Sequence, residues 1–320
     1  MLVVNPTKVG NGERLRRRVA RRCRAHGWED PLVVQTTQDD FGEGMARWAV
    51  AQGAELVLSA GGDGTVMSVA RGLAHTDVPL GVLPIGTGNL LARNLGLPLT
   101  LPEALEVALT GRSQHIDLGQ TATGDSGGKS SGVQDSPAWK AGGGVTGQGF
   151  AVMAGIGFDA AMMADAPGRL KAAMGWPAYV VSGARHLRDR PMTVELRLDG
   201  GSPFTRTARG IIVGNVGTLQ AGLRLLPDAR PDDGLLDVVI MSPRRLRDWA
   251  RVVVGLAVRR DGGERDMERF QVRRVELRTD RPQPSQLDGD PTGDVDVMLL
   301  EVDCGALLVR VPRSGSGRRA

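Results

Sequence analysis

Cysteine is nearly missing: Cys23 and Cys304 are the two in 320 residues. They form no CxxC pair and no cluster with histidine, which excludes a disulfide framework and a zinc site and suits a reducing cytosol. Lysine is almost as scarce. Lys8, Lys129, Lys140 and Lys171 are the only four, so arginine carries nearly all the positive charge, and the formal net charge is +4. So small an excess gives no reason to expect nucleic acid as a partner. Long apolar runs are absent as well. The opening MLVVNP has no basic segment, so no signal peptide is expected. The longest apolar stretches, around Trp176 to Ala184 and Val252 to Val258, fall well short of the ~20 residues that span a bilayer. A cytoplasmic protein is expected, with any membrane contact peripheral. Two nucleotide signatures are also missing. No GxxxxGK[ST] loop occurs, nor a GxGxxG fingerprint joining one of the apolar runs to a helical pattern, so a Walker-type site and an ordinary dinucleotide enzyme are excluded. His26, His75, His115 and His186 are scattered without a Ser or Cys partner pattern, and none reads as catalytic.

The chain is 41% hydrophobic and 24% charged, ample for a packed core, so a coiled coil, a collagen and a disordered chain are ruled out. At ~150 residues per domain, the length argues for two domains. In the first third, apolar runs at Leu2 to Val4, Leu32 to Gln35, Glu55 to Ala60 and Leu80 to Ile85 alternate with helical patterns at Gly12 to His26, Gly44 to Gln52, Thr65 to Leu73 and Asn89 to Leu95. That order predicts a doubly wound parallel α/β domain over 1–117. Beyond it come short runs of period two, Phe150 to Ala154, Met192 to Leu198, Gly210 to Gly214, Leu235 to Met241, Val272 to Arg278 and Val295 to Leu300. They predict an antiparallel β-rich domain over 118–304. Residues 120–149, rich in Gly and Ser, read as a disordered hairpin loop, and the tail SGSGRRA as loose.

Three places share one design, a strand running into a glycine-bearing loop and then a helix. They are Asn5-Pro6-Thr7-Lys8-Val9-Gly10, Gly61-Gly62-Asp63-Gly64-Thr65 and Gly86-Thr87-Gly88-Asn89. Each falls at the carboxyl edge of a parallel sheet, where such folds bind ligands. Glycine lets the main chain approach an anion, and the following helix offers free N–H groups and a favourable dipole. Three such loops on one edge predict a phosphate-binding cleft. Asp63 among those glycines suits Mg²⁺ or a proton acceptor; the alternative is that it caps the helix starting at Thr65.

The motifs NPTKVG, GGDGTVMSVARGL, PLGVLPIGTGNLLARNLGLP, GIGFDA, LPDARPDDGLLDVVIM and QLDGDP, in this order, resemble the diacylglycerol kinase catalytic-domain family of soluble lipid kinases, which includes sphingosine kinases. The resemblance covers nearly the whole chain outside the 120–149 segment. It implies a nucleotide-binding α/β domain, a C-terminal β-sandwich domain, and a last strand, Leu307 to Pro312, returning to the first, so that 305–313 belongs with 1–117. The implied reaction moves the γ-phosphate of ATP, with Mg²⁺, to a lipid hydroxyl, giving phosphatidate from diacylglycerol.

Carried over onto this sequence, Asn5, Pro6, Thr7, Lys8 and Val9 match the first ATP loop, and Thr36 or Thr37 the second-strand threonine. Gly61, Gly62, Gly64, Thr65, Val66, Met67 and Ser68 match the central loop, and Gly86, Thr87, Gly88 and Asn89 the third. Asp290 stands where the family usually carries the glutamate proposed as the base, one methylene shorter; Asp63 competes for that role. Asp288 would hold metal or orient the base, or else belong only to an Asp-Gly turn. Asp233 and Leu235 match two ligands of a structural Mg²⁺, but Arg230 stands at the first, which counts against that site and leaves Asp232 as the substitute. Met67-Ser68 replaces a frequent Asn-Glu, and Leu90 replaces the Asp that often follows Asn89.

Two arginine clusters complete the reading. Arg14, Arg16, Arg17, Arg18, Arg21, Arg22 and Arg24 lie on the first helix, and Arg244, Arg245, Arg247 and Arg251 begin another. They suit docking on an anionic membrane or simply a solvated face. Leu170 to Leu187 reads as an amphipathic lid or as ordinary core, and a homodimer is allowed. NAD kinase shares GGDGT, but GTGNLLARNLGLP stands where an LGFLT-like segment would be, which favours a lipid acceptor. A sphingoid or other lipid alcohol, or a silent nucleotide or lipid sensor, are the remaining alternatives.

Overall fold

The computed structural model describes residues 1–124, 147–157, 190–218, 225–243, 248 and 267–313. The chain divides into two compact units, Met1–Asp117 with the segment from Cys304 onward, and Leu118–Asp303.

The first unit alternates strands and helices: β1 (Leu2–Val4), α1 (Gly12–Ala25), β2 (Val33–Gln35), α2 (Glu43–Ala51), β3 (Val57–Gly61), α3 (Asp63–Leu73), β4 (Leu80–Pro84), α4 (Leu90–Asn94) and α5 (Leu101–Thr110). The strands pair in parallel in the order β2-β1-β3-β4, with Leu2 opposite both Val33 and Leu58, and Val57 opposite Leu80. Near the carboxyl terminus, Val309 pairs in parallel with Leu80, so the expected return strand forms. β3 and β4 are buried at every position, as strands covered by helices on both faces must be.

The helices arise from their patterns. α1 buries Leu15, Val19, Ala20 and Cys23, an i, i+4, i+5, i+8 stripe, and leaves its arginines on the outer face. Asn11 caps it, its side chain accepting from Arg14 N at 2.8 Å. α5, absent from the sequence expectations, packs Leu105, Ala108 and Leu109 into the same core as α1 and β3. Its LPEALEVALT is a good helix sequence, with Pro102 in the first turn.

The second unit is antiparallel. It contains β5 (Arg112–Gly124, beginning in the first unit), β6 (Gln148–Phe150), β7 (Met153–Gly157), β8 (Met192–Leu198), β9 (Phe204–Ala208), β10 (Gly210–Gly214), β11 (Leu236–Met241), β12 (Met267–Val272), β13 (Arg274–Leu287) and β14 (Asp290–Val311, ending in the first unit). Pairing runs β12-β11-β10-β7-β13-β14, with the β8–β9 hairpin added to β13. The core gathers Phe150, Ile156, Met192, Leu196, Ile211, Val238 and Leu300.

Several expectations need correction. The loop is shorter than 120–149, because β5 extends to Gly124 and Gln120 and Thr121 pair with Gly149 and Gln148. The run Phe150 to Ala154 is two strands, broken at Ala151 and Val152. The run Val272 to Arg278 breaks at Arg273, where Asp199, at φ 48, accepts from both Arg273 N and Arg274 N at 2.8 Å. Residues 125–146, the Phe158–Ala160 end of GIGFDA, the Leu170 to Leu187 segment, Arg244, Arg245, Arg247, Arg251 and the tail lie outside the described residues.

Candidate active site

In the first unit the strand order reverses direction at β1 and β3. A doubly wound sheet opens its ligand crevice at the carboxyl ends of such neighbours, and here those ends are Asn5 and Gly61–Gly62. Asn5 ties the two loops together: its N–H donates to Ala60 O at 2.9 Å and its Nδ2 to Thr65 Oγ1 at 3.0 Å. Its Oδ1 accepts from Thr7 N and Oγ1 at 3.0 and 2.7 Å, folding NPTK back on itself. Pro6, Thr7 and Lys8 are exposed, and Val9 half-buried.

The central and third loops pack backbone against backbone. A Cβ on Gly86 would lie 2.7 Å from Gly62 Cα, and one on Gly88 would lie 2.6 Å from Asp63 Oδ2. Glycine is therefore required by space at Gly86, and at Gly88 a side chain would push the Asp63 carboxylate from its place. A Cβ on Gly62 would meet Lys8 Cε at 3.9 Å, so the lysine side chain lies over the central loop. Gly64 and Thr87 are exposed, whereas Val66, Met67 and Ser68 are buried in α3 with Thr65. Thr36 is buried and donates its N–H to Val4 O at 2.9 Å; Thr37 is exposed, and its Oγ1 accepts from Asp40 N at 3.0 Å.

Asp63 reaches beyond its own helix. Its Oδ2 accepts from Asn89 N at 2.9 Å and its Oδ1 from Leu90 N at 2.6 Å, so it caps α4 across the loop gap. Asn89, at φ 49, closes the third loop with Nδ2 donating to Gly86 O at 2.8 Å. Arg93 Nε donates to Gly88 O at 2.8 Å and braces the same loop.

In the second unit, Asp288 and Gly289 form the two-residue turn between β13 and β14, at φ 51 and 94, with Leu287 opposite Asp290. Positive φ at both central positions is the type I′ signature that Asp-Gly satisfies. Asp288 is more than a turn residue. Its Oδ1 accepts from Val152 N and Met153 N at 2.8 and 3.0 Å, and its Oδ2 from Ala151 N at 3.1 Å. Asp290 is exposed and makes no side-chain hydrogen bond or ion pair among the described residues.

Arg230 Nε faces Asp232 Oδ1 at 3.5 Å, and Asp233 Oδ1 accepts from Leu235 N at 3.1 Å. Among the described residues no group of three or more His, Cys, Asp or Glu converges as metal ligands do. Nearby Asp237 is 7% exposed, and burial pushes its carboxyl up to about 6, with Gln271 opposing the shift and Asp233 and Asp228 adding to it.

Comparison with known proteins agrees with both units. Residues 1–121 match the diacylglycerol kinase catalytic domain, and residues 151–311 the YegS C-terminal NAD kinase β-sandwich-like domain. The chain belongs to the diacylglycerol kinase catalytic-domain family. It is 34% identical over 194 residues to a diacylglycerol kinase of Mycobacterium tuberculosis, a match covering 60% of this chain and 56% of that protein's length. It is 30% identical over 292 residues to a "Probable lipid kinase YegS-like" of Pseudomonas fluorescens, covering 90% of this chain and 88% of that one. A solved diacylglycerol kinase from Bacillus anthracis superposes with a TM-score of 0.69 at 18% identity, covering 98% and 96% of the two chains. An ATP-bound NAD kinase from Archaeoglobus fulgidus does so at 0.52 and 15%, covering 97% and 92%. At such identities these two show the fold alone, α/β followed by β-sandwich.

Among the residues expected from the lipid-kinase resemblance, Asn5, Lys8, Gly62, Asp63, Thr65, Gly86, Gly88 and Asn89 come together at one edge of the first unit. Asp288 and Asp290 share one turn of the second. Arg93, which braces the third loop, lies outside the sequence expectations, although a lone cation in the helix after a glycine loop is a usable signal.

Proposed function

We propose that this member of the lipid-kinase family transfers the γ-phosphate of ATP to the hydroxyl of diacylglycerol, giving phosphatidate, with Asp290 as the base that takes the hydroxyl proton. The availability of Asp290 carries this reading. Asp63 and Asp288 spend both carboxylate oxygens on backbone N–H groups, whereas Asp290 is exposed and unengaged among the described residues.

The glycine loops fit a triphosphate. The backbone lies bare at Gly62 with Lys8 beside it, and the first turn of α3 offers N–H groups that no helical carbonyl uses. Asn5, Lys8, the Gly62–Thr65 backbone and Thr87 would hold ATP, which supplies the phosphoryl group; Mg²⁺ enters with it as part of the substrate. Phosphoryl transfer asks the protein mainly for positioning and charge neutralisation, and these loops are braced by Asn5, Asp63 and Arg93. Arg230 beside Asp232 counts against a structural Mg²⁺ in the Asp232–Leu235 segment, and no step runs through it.

Diacylglycerol lies in a membrane, so the protein must work at a bilayer surface, at the cytoplasmic face. Among the described residues no helix is long and apolar enough to cross a membrane. Arg16 and Arg17 pair with Glu13, Arg22 with Glu106 and Arg24 with Asp30. Arg14, Arg18 and Arg21 make no ion pair among the described residues and supply a cationic stripe suited to anionic lipid, each worth ~1 kcal/mol near the surface.

The test offers labelled ATP and Mg²⁺ with diacylglycerol or sphingosine in mixed micelles, or with NAD in solution. Labelled phosphatidate, formed at least 100-fold more slowly by Asp290→Asn, is the expected result. Label on sphingosine or NAD overturns the diacylglycerol assignment, and ATP binding without transfer to any acceptor overturns the enzymatic one.

A further inference from the structure

We propose that Asn215 is a positioning residue for the transfer base, fixing through Asp288 the turn that carries Asp290; the inference rests on Asp290 being that base. The tripeptide Ala151–Met153 joins β6 to β7 and lies at a break in the strand, where ladder pairing cannot satisfy every polar group. Burial without partners would be costly there. All six of its backbone N–H and C=O groups are bonded, and only two residues do the bonding. Asp288 takes the three N–H groups on its carboxylate and donates its own N–H to Met153 O at 2.8 Å. Asn215, immediately after β10, takes the other two carbonyls: its N–H donates to Val152 O at 2.9 Å and its Nδ2 to Ala151 O at 3.2 Å.

Asn215 is fully buried, at 0% exposure. The tripeptide is therefore a hinge pin gripped from one side by Asn215 and from the other by Asp288. The grip reaches Asp290 through a turn that is itself constrained. Gly289 N donates to Gln286 Oε1 at 2.7 Å, and Gln286 is also at 0% exposure. Asp290 has no side-chain partner among the described residues, so its place is inherited from the backbone beneath it. A base must sit within hydrogen-bond reach of the proton it accepts, and displacing a reacting group by ~1 Å costs on the order of a hundredfold in rate. The amide at 215 supplies the donor that Ala151 O needs in this buried position. Aspartate would set an acceptor against that carbonyl, and alanine would leave it bare.

The test compares Asn215→Ala and Asp290→Asn, singly and together, in single-turnover transfer from ATP, with hydrogen exchange measured on the same proteins. Asn215→Ala should lower the transfer rate about 10- to 100-fold while leaving the KM for ATP unchanged. In the Asp290→Asn background the same change should cost less than about twofold, since the group it positions is gone. Amide protection should fall at Ala151–Met153 and at Gly289–Asp290 but not in β11. Equal losses in both backgrounds, or a loss of protection confined to Ala151–Met153, overturn the proposal. Should the wild-type protein transfer phosphate to no lipid, the lipid-kinase reading fails and the exchange pattern alone decides: protection lost at Gly289–Asp290 supports the link, protection retained there ends it. If Asn215→Ala does not fold, Asn215→Ser is read by the same criteria.

Discussion

Asp63 in the α/β unit and Asp288 in the β unit both stand before a glycine, and both use their carboxylates to gather N–H groups from another stretch of chain. The first reaches 26 residues to the start of α4; the second reaches 135 to 137 residues back to the β6–β7 corner. Asp40 repeats the device locally, accepting from Gly42, Gly44 and Met45 at the start of α2. The two aspartates differ in the structure each one introduces. After Asp63 comes a helix whose N-terminus suits an anion, and after Asp288 comes a turn that presents a second carboxylate, Asp290, to solvent. Asp63 and Asp288 are engaged by backbone N–H groups, whereas Asp290 has no side-chain partner among the described residues.

The contrast is easiest to overturn at its chemical end. Asp290→Asn should lower kcat at least 100-fold, as general-base losses do, with no change in Tm. Asp290→Glu, which restores the longer side chain common in the family, should retain turnover; a rate as low as that of Asp290→Asn would show that reach, not basicity alone, governs the site. Asp288→Ala strands three N–H groups and should cost about 3 kcal/mol of stability, since each bond to a charged group contributes ~1.5–3 kcal/mol and some water enters. Urea unfolding measures it, and a loss under ~1 kcal/mol would reduce Asp288 to a plain turn residue.

Asp237→Asn tests a carboxylate with no such network. Its folded-state pKa is about 6, against 3.8 for an ordinary aspartate. A raised carboxyl pKa means that stability is lost as pH rises from about 4 to 6 and stays lost above that range. The asparagine variant should therefore equal the wild type near pH 4 and exceed it by about 1 kcal/mol at pH 7; a constant difference across that range contradicts the burial argument. Asp63→Asn should cost about 1 kcal/mol of stability by analogy with a lost helix cap. It should weaken ATP binding through the third loop while the transfer step persists, as calorimetric titration and single-turnover rates would show.

Much of this is legible in the sequence, for reasons particular to each element. The glycine loops announce themselves because strand, loop and helix are contiguous, and the alternation of apolar runs with helical patterns specifies the parallel sheet and its carboxyl edge. The Asp288-Gly289 turn is legible from a dipeptide. The roles of Asp63 and Asp288 are not, because their partners are chosen by tertiary folding, and a local cap is what a local reading expects. The break at Ala151–Val152 is hidden inside an apolar run, since hydrophobicity does not record which carbonyls leave the ladder. Asn215 and Gln286 are invisible for the same reason. α5 lies outside the strand-loop-helix pattern that marks the other elements, although its composition favours a helix.

The most direct measurement is single-turnover phosphate transfer to diacylglycerol by Asp63→Asn, Asp288→Asn and Asp290→Asn at saturating ATP, each normalised to folded protein. If Asp290 is the base, Asp290→Asn alone loses at least 100-fold in rate, leaving a slow but measurable transfer, while Asp63→Asn and Asp288→Asn retain most of theirs. Background transfer by Asp63→Asn beside an active Asp290→Asn would contradict that assignment and move the chemistry to the glycine loop.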